Sequence, residues 1–253
     1  MTESTSKGEP NKPKDTKLLY LSDTYKFEAE SILVCSGSDT KGTFVVLDET
    51  IFYPQGGGQP SDVGIIEVDN RTLNVHFVSF NNGIVQHYVK ESVENLNYAS
   101  PCKMKIDSDR RLKNAKSHTG GHLLAGIVEK IAPELVGVKG HHFPEGPYVE
   151  FKGKLSSFTT NEFIDKVTEL IKENIDANRI VSAREIDQLE LRNLRNTEYQ
   201  LQEGKKARVV QIDDFEPVPC GGTHLKNLGE LKNFNIRKIQ FPKENTKIGY
   251  ICG

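Results

Sequence analysis

Long hydrophobic runs are missing from the 253-residue sequence: no stretch approaches the roughly 18 consecutive apolar residues that span a membrane. The N-terminus also lacks the charged and then apolar layout of a secretory signal peptide. We therefore expect a cytoplasmic protein that has no membrane partner. Cysteine is scarce as well. The four thiols, Cys35, Cys102, Cys220 and Cys252, are not closely paired, which argues against a disulfide framework and favours a reducing compartment.

An excess of one charge is missing too. Lys and Arg total 33 against 35 Asp and Glu, and the formal net charge is -2, which excludes a uniformly basic nucleic-acid binder. Any nucleic acid must therefore be bound by a local patch. One candidate runs from residue 103 to 116, where six basic residues stand against Asp107 and Asp109: Lys103, Lys105, Arg110, Arg111, Lys113 and Lys116. Such a run is commonly only a solvated face, but it could also contact RNA phosphates.

The chain divides into three parts by composition. Residues 1–16 are polar and rich in Ser, Lys and Pro, which predicts a disordered tail. Residues 17–106 contain short β-branched and aromatic runs, beginning with LLYL at 18–21 and separated by turn sequences, which predicts an antiparallel sheet or small barrel. Residues 107–253 mix helical and strand patterns. We predict an α+β protein in which a β-barrel-like N-terminal domain precedes an α+β domain.

Two helices are predicted in the last part. The first covers Ser108 to Ile131, a proline-free stretch with helical spacing of its apolar residues. The second covers 161–177 and begins with a capping box formed by Thr159 and Glu162. Short strands are predicted at 148–151, 180–186, 208–212, 231–241 and 248–251.

Four residues suggest a metal site. His118 and His122 lie four positions apart in the first predicted helix, so both rings project from one face. Cys220 and His224 follow about a hundred residues later and complete a nitrogen and sulfur set suited to one Zn²⁺. Ordinary core histidines are the alternative. A zincin-type protease is unlike this pattern, because Thr119 follows His118 where a zincin has Glu.

The pattern leaves the role of the metal open. A structural zinc would take all four ligands, whereas a catalytic zinc keeps an open position for water. Two observations favour catalysis: the chain is large enough to fold without a zinc staple, and glycines at 120, 121, 221 and 222 could keep space free beside the ligands.

A glycine run precedes the histidine helix. Gly56, Gly57 and Gly58 are followed by Gln59, and such a loop allows close approach of a bulky partner. A flexible hairpin loop is the alternative. The run has neither the P-loop nor the dinucleotide-binding spacing, so we expect no ATP binding.

These motifs together resemble a known family. GGGQP at 56–60, HTGGHLL at 118–124 and CGGTH at 220–224 occur in the order seen in the free-standing alanyl-tRNA editing proteins. The resemblance covers about residues 18–253 and is to the longer, AlaX-type class with a glycine-rich N-terminal domain. The family is similar to the editing domain of alanyl-tRNA synthetase and, more distantly, to that of threonyl-tRNA synthetase.

The resemblance implies a zinc-dependent trans-editing hydrolase that deacylates Ser-tRNA(Ala), with Gly-tRNA(Ala) as a second substrate. It identifies His118, His122, Cys220 and His224 as ligands of one Zn²⁺. Gln59 and the glycines at 56–58 would form the loop that lines the editing pocket. A synthetase cannot strongly reject serine, which only adds a hydroxyl to alanine, so a second hydrolytic site is needed.

Other roles follow on that basis. Thr119 and Gln59 are candidates to bind the serine hydroxyl, and Glu150 is a candidate proton carrier, with a surface carboxylate as its alternative. His141 and His142 could contact RNA or line the pocket, or could form a polar loop. The tRNA(Ala) acceptor end would meet the phosphate-binding residues Arg110, Arg111 and Lys116, and we expect a monomer. A non-catalytic, zinc-stabilised tRNA-binding module and a zinc hydrolase of small esters or amides are the alternatives.

Overall fold

The computed structural model describes residues 14–194, 201–202 and 204–253. Most of the predicted disordered tail, residues 1–13, lies outside this part of the chain. Thr16 is buried, however: its amide donates to the carbonyl of Gly83 at 2.8 Å, and its hydroxyl accepts a hydrogen bond from the amide of Val85 at 3.1 Å. The predicted disordered tail, residues 1–16, therefore wrongly includes Thr16.

Eight strands lie between residues 14 and 106, and six of them close into an antiparallel barrel in the order β2–β3–β7–β6–β5–β8. This confirms the barrel-like sheet. The short strands β1 and β4 pair in parallel beside it. The eight strands are β1 (Lys17–Leu18), β2 (Glu28–Asp39), β3 (Gly42–Leu47), β4 (Glu49–Thr50), β5 (Gly64–Val68), β6 (Arg71–Asn81), β7 (Ile84–Val89) and β8 (Pro101–Ile106).

Buried and exposed side chains alternate along the barrel strands, as β8 illustrates. In β8, Cys102, Met104 and Ile106 are buried, whereas Lys103 and Lys105 are exposed, so one face of the strand packs inside the barrel. Closure then leaves no unpaired strand edge. The predicted strand over LLYL is wrong beyond Leu18, because residues 19–21 form a 3₁₀ turn.

The chain after residue 107 contains both helices and strands. Helices α1 and α2 lie close to their predicted bounds, and no helix within the described ranges is long and apolar enough to cross a membrane. The strands form two antiparallel sheets, ordered β14–β15–β10–β9 and β11–β12–β13. The elements are α1 (Ser108–Ile131), β9 (Val136–His141), β10 (Tyr148–Lys152), α2 (Thr160–Asp176), β11 (Val181–Ile186), α3 (Gln188–Asn193), β12 (Ala207–Ile212), β13 (Val218–Pro219), β14 (Asn235–Gln240) and β15 (Asn245–Ile251).

Several elements differ from the sequence prediction, including the short strands β4 and β13. Strand β9 was not predicted, because its sequence VGVKGH contains two glycines and has no clear apolar alternation. Helix α3 was not predicted either. Strand β14 begins at Asn235 rather than at Leu231, since the amide of Lys232 donates instead to the carbonyl of Gly253 at 2.9 Å.

The helix starts follow the capping rules. The side chain of Asp107 accepts a hydrogen bond from the amide of Arg110 at 2.9 Å and caps α1. The predicted capping box of α2 is present, because Thr159 and Glu162 each bind the other's backbone amide.

The apolar core consists of separate clusters. One fills the barrel and contains Leu33, Ile66 and Met104; a larger one surrounds α1 and contains Phe151 and Phe163. Polar side chains connect the barrel with α1, among them Asp62 with Arg111 and Gln59 with His118.

Arg111 forms the main buried contact between α1 and the barrel. Its side chain is 0% exposed, and its Nε donates to the Oδ2 of Asp62 at 3.0 Å. Its two Nη atoms donate to Asp62 and to the carbonyls of Ile51 and Thr24. The prediction that Arg111 binds tRNA phosphates is wrong, because the guanidinium is enclosed and its donors are used inside the protein.

Candidate metal centre

The histidine pair and the cysteine–histidine pair meet between α1 and the loop that follows β13. The ligand atoms of His118, His122, Cys220 and His224 all lie within 4.8 Å of one another. The Sγ of Cys220 is 3.4 Å from the Nε2 of His118 and 3.3 Å from the Nε2 of His224. The two sequence pairs, about a hundred residues apart, thus form one cluster.

The donor set fits zinc. Three imidazoles and one thiolate are common zinc ligands, and a tetrahedral site with ordinary Zn–S and Zn–N bonds places sulfur and nitrogen about 3.5 Å apart. The two sulfur–nitrogen distances in the cluster are close to that value. The four residues could therefore hold a metal ion.

Two of the rings are oriented by hydrogen bonds to their other nitrogen. The Nδ1 of His118 lies 2.7 Å from the Oε1 of Gln59, and the Nδ1 of His224 lies 3.1 Å from the Oγ1 of Thr119. Because the amide oxygen of Gln59 can only accept, Nδ1 of His118 carries the proton and Nε2 keeps its lone pair. Such contacts are typical of metal-binding histidines.

Gln59 and Thr119 are buried behind the ligands and not on a cavity wall. Both are 0% exposed. The Nε2 of Gln59 donates to the hydroxyl of Thr223 at 2.9 Å, and its Oε1 also accepts from the amide of Thr223 at 3.1 Å. The hydroxyl of Thr119 also accepts from the amide of Leu225 at 3.1 Å. The prediction that these two side chains bind a serine hydroxyl is corrected: they hydrogen-bond to His118 and His224 of the cluster.

Most glycines of the HTGGH and CGGTH motifs are closely packed, so that an added Cβ would contact a neighbouring atom. A Cβ on Gly222 would lie 2.3 Å from Nδ1 of His118, and one on Gly121 would lie 2.3 Å from the ring of His142. Gly221 alone has open space, with no heavy atom within 4 Å of the position that a methyl group would take. The expectation that all these glycines leave room beside the ligands holds at Gly221 only.

Burial keeps the imidazoles neutral. It holds the pKa of His118 and of His224 well below the usual range and lowers the pKa of His122 to about 4. A neutral imidazole is the form that binds metal. Burial also raises the pKa of the Cys220 thiol, while the amide of Gly222 and the charge of Arg208 act in the opposite direction.

Arg208 supports the cysteine loop and was missed at the sequence level. Its Nη1 donates to the carbonyl of Cys220 at 2.7 Å and to that of Gly222 at 3.1 Å. The residue belongs to β12, which pairs with β13 beside the loop. An arginine within a strand gave no signal that pointed to the motif.

His142 adds a fourth imidazole beside the three of the cluster. Its ring stacks on that of His118, with centroids 4.3 Å apart and planes at 21°. Its Nδ1 lies 2.8 Å from the hydroxyl of Tyr250, which donates onward to the carbonyl of Ser117. His142 is 3% exposed. The alternative of a polar loop is therefore wrong for this residue.

The glycine run forms a tight turn against β9. Gly57 and Gly58 have positive φ values of 53° and 76°, which favour glycine. A Cβ on Gly58 would lie 2.3 Å from the carbonyl oxygen of Gly140, and the carbonyl of Gly58 accepts from the amide of His142 at 2.7 Å. The turn thus directs Gln59 towards His118.

A cavity of about 710 Å³ lies beside the cluster, and His122 and His142 form part of its wall. Its other sides come from α1, β9, β12 and residues 214–219. A smaller cavity of about 230 Å³ reaches His224 from the opposite side, beside Thr24 and Arg208.

Glu150 does not line either of these cavities. Side chains alternate along β10, and its neighbour Val149 lines the larger cavity, so Glu150 faces away from it. Its Oε1 accepts a hydrogen bond from the side chain of Asn245 at 2.7 Å. The prediction of Glu150 as a proton carrier is corrected, and the surface carboxylate is the better description.

Known proteins resemble almost the whole chain. It is 32% identical over 236 residues to the alanyl-tRNA editing protein AlaX-M of Methanosarcina mazei, a match that covers 89% of this chain and 91% of that relative. It is 34% identical over 234 residues to AlaX-M of Methanosarcina barkeri, covering 89% and 93%. The chain belongs to the alanyl-tRNA editing protein family.

Two family models match parts of this family member. The model described as threonyl and alanyl tRNA synthetase second additional domain matches residues 207–247, a range that includes Cys220 and His224. The model described as tRNA synthetases class II (A) matches residues 3–110, a range that includes Gln59. The alanine–tRNA ligase of Thermoplasma acidophilum is 31% identical over 258 residues, which cover 94% of this chain and 28% of the ligase.

Proposed function

We propose that this member of the family is a zinc-dependent trans-editing hydrolase that deacylates Ser-tRNA(Ala), with Gly-tRNA(Ala) as a second substrate. The observation that carries the proposal is the cluster of three histidines and one cysteine at the wall of a 710 Å³ cavity. Family membership supports the substrate class, because relatives of nearly equal length are named alanyl-tRNA editing proteins.

The metal would be one Zn²⁺ held by His118, His122, Cys220 and His224. When bound, zinc would act as a Lewis acid that polarises an ester carbonyl and lowers the pKa of a bound water. Gln59 and Thr119 hold the rings of His118 and His224 in their ligand orientation through the Nδ1 contacts.

His122 is the ligand that lines the larger cavity. We place the aminoacyl ester there, beside His122, where the cavity leaves room for the ester and for the water that hydrolyses it. A site of this kind removes serine after charging, since a synthetase pocket built for alanine cannot strongly reject an added hydroxyl.

Other sequence predictions stay proposals. Gly56 and Gly57 are exposed at the tip of the turn that covers the metal cluster, where they could contact the acceptor end together with Gly58. Arg110 and Lys116 are half-buried on α1, and the Nε of Arg110 donates to the carbonyl of Ser61 at 3.0 Å. We propose a cytoplasmic monomer that acts on tRNA(Ala) and does not use ATP.

The decisive experiment measures zinc and turnover in the same preparations. We expect about one zinc per chain, and hydrolysis of Ser-tRNA(Ala) and Gly-tRNA(Ala) but not of Ala-tRNA(Ala). Cys220→Ala and His122→Ala should lose zinc and deacylation together, whereas Cys35→Ala, a thiol in the barrel wall, should keep both. Full deacylation by the two ligand variants would rule out the metal-dependent mechanism.

A second candidate is a zinc-stabilised tRNA-binding module without catalysis. The presence of four donor atoms favours it, because four protein ligands can close the coordination sphere. Under this alternative, a chelator would unfold the protein, tRNA affinity would follow folding, and no aminoacyl-tRNA would be hydrolysed.

A further inference from the structure

The four-stranded sheet β14–β15–β10–β9 has two different faces. On the inner face, Phe151, Ile248 and Tyr250 are buried and belong to the cluster around α1. The outer face has no element packed over it among the described elements, and it carries a set of basic and aromatic side chains. This face was not recognised from the sequence, because its residues come from four separate strands.

Four cations lie on this face. Arg237, Lys238 and Lys139 are exposed, and Lys247 is partly exposed. Both Arg237 and Lys238 approach the outer side of Gly249, where their side chains would contact an added Cβ at 3.8 and 3.5 Å. Within the described part of the chain, none of the four forms an ion pair with a carboxylate.

One carboxylate stands among these cations. Glu150 is the cross-strand neighbour of Lys139 on one side and of Lys247 on the other. Burial lowers the pKa of nearby His141, and the charges of Lys139 and Lys247 lower it further. Glu150 therefore offsets one of the four positive charges, and the other three are left in excess over it.

Three rings form a column at one end of the same face. The ring of His141 is stacked between Phe143, at 4.6 Å and 6°, and Tyr148, at 4.9 Å and 26°. The Nζ of Lys247 lies 3.5 Å from the ring centroid of Tyr148. Partly exposed aromatic rings beside unpaired cations are the combination with which proteins bind unstacked bases and phosphates.

The face is continuous with the metal centre through strand β9. Lys139 belongs to the face and also lines the 710 Å³ cavity. His141 lies on the outer side, while the next residue, His142, stacks on the metal-cluster residue His118. Strand β9 is the edge of the sheet, so a flexible chain on the outer face needs only to turn over β9 to reach the cavity.

We propose that this outer face, defined here as the cationic sheet face, binds the acceptor end of the tRNA substrate. The phosphates contact the cations Arg237, Lys238, Lys247 and Lys139, the bases contact the ring column, and the 3′ end turns over β9 into the cavity. This inference rests on the proposed function for the identity of the RNA. An acidic protein segment would match the charge alone and would leave the ring column without a role.

The first test measures binding of uncharged tRNA at several salt concentrations by fluorescence anisotropy. The double variant Arg237→Glu/Lys238→Glu and the single variant Lys247→Glu should each weaken binding at least about tenfold at low salt. The slope of log affinity against log salt should fall by about one for each cation removed. Lys166→Glu, on exposed α2 away from the face, is the matched control and should bind like the unaltered protein.

A second pair of variants tests the rings. His141 and Lys247 cover Tyr148, so Phe143 is the end of the column on which a base could stack. Phe143→Ala should weaken tRNA binding about 5- to 150-fold if a base stacks there, whereas Phe143→Tyr keeps a ring and should bind nearly normally. Zinc content and circular dichroism identify any variant that has lost its fold.

Several outcomes would overturn the proposal. Normal tRNA binding by the charge variants of the face would show that the face is not the RNA site. Loss of binding in Lys103→Glu/Lys113→Glu would then place the site on the basic run before and within α1. Equal competition by polyglutamate of the same charge would show a general polyanion surface instead of an RNA site. Deacylation by the unaltered protein is measured in parallel. Face-dependent tRNA binding without any deacylation would contradict the proposed function and leave the face intact.

Discussion

The Oε1 of Gln59 accepts a hydrogen bond from the Nδ1 of His118 at 2.7 Å, although the two residues lie 59 positions apart in the sequence. Gln59 follows the glycine turn of the barrel, and His118 lies in the middle of α1. The contact places the proton on Nδ1 and leaves Nε2 facing the sulfur of Cys220, 3.4 Å away. A residue of the barrel therefore helps to orient a cluster histidine that lies on α1.

Removal of the Gln59 amide should weaken zinc binding. In Gln59→Ala, His118 loses the acceptor for its Nδ1 proton, so its ring is free to rotate or to change tautomer. We expect the zinc dissociation constant to rise about 10- to 100-fold, as measured by competition with a chromogenic chelator. Gln55→Ala changes an exposed glutamine in the same loop and should bind zinc normally. Unchanged affinity in Gln59→Ala would show that the contact does not orient the ligand.

Alanine substitutions at the adjacent residues Gly221 and Gly222 should have different effects on zinc binding. A methyl group on Gly222 would lie 2.3 Å from Nδ1 of His118 and 3.0 Å from Oε1 of Gln59, so Gly222→Ala must displace the ring or the loop. Gly221→Ala meets no atom within 4 Å. We expect Gly222→Ala to lose most of its zinc, by elemental analysis after dialysis, and Gly221→Ala to keep it. Equal zinc content in both variants would mean that the loop adapts without cost.

The sequence pattern was informative wherever the relevant neighbours are local. The spacing of His118 and His122 predicted one helix face, and the structure brings both together with Cys220 and His224. The alternating apolar residues predicted the barrel-like sheet, because period-two alternation is a property of each strand alone.

The pattern failed where the partner of a side chain is distant in sequence. Arg111 was interpreted as a surface cation because charged residues are usually solvated, yet Asp62, 49 positions earlier, pairs with it in the interior. The sequence also favours Thr119 and Gln59 as substrate-binding residues, because it does not reveal their hydrogen bonds to His224 and His118. No local periodicity reveals that a polar side chain is already hydrogen-bonded.

The buried pair of Arg111 and Asp62 predicts an asymmetric mutational effect. Arg111→Met leaves the carboxylate of Asp62 buried without its counter-ion, and we expect the free energy of unfolding in urea to fall by about 3–5 kcal/mol. The double variant Arg111→Met/Asp62→Leu removes both charges and should be more stable than Arg111→Met alone. A double variant at least as unstable as the sum of the two single variants would contradict this explanation, because it would show no energetic coupling between the two charges.

His87 predicts a pH dependence that is separate from the metal centre. Its ring is buried in the barrel, where Nε2 lies 2.8 Å from the hydroxyl of Thr50 and Nδ1 lies 3.1 Å from the carbonyl of Val45. Burial lowers its pKa to about 4, against about 6.5 in an unfolded chain. Between these two values the unfolded chain binds a proton that the folded barrel does not, so its contribution to stability is complete above pH 6.5 and declines as the pH falls towards 4.

The size of this effect can be isolated by substitution. His87→Gln removes the titrating ring, so the loss of unfolding free energy between pH 6.5 and 4 should be smaller than in the unaltered protein by about 3 kcal/mol. Urea titrations at several pH values measure it, and the contribution of the buried metal-cluster histidines cancels in the comparison. His76→Gln, which changes an exposed histidine of the same barrel, should leave the pH dependence as it is. If His87→Gln loses stability with acid as steeply as the unaltered protein, the barrel must accept a protonated His87, and the acid sensitivity arises elsewhere.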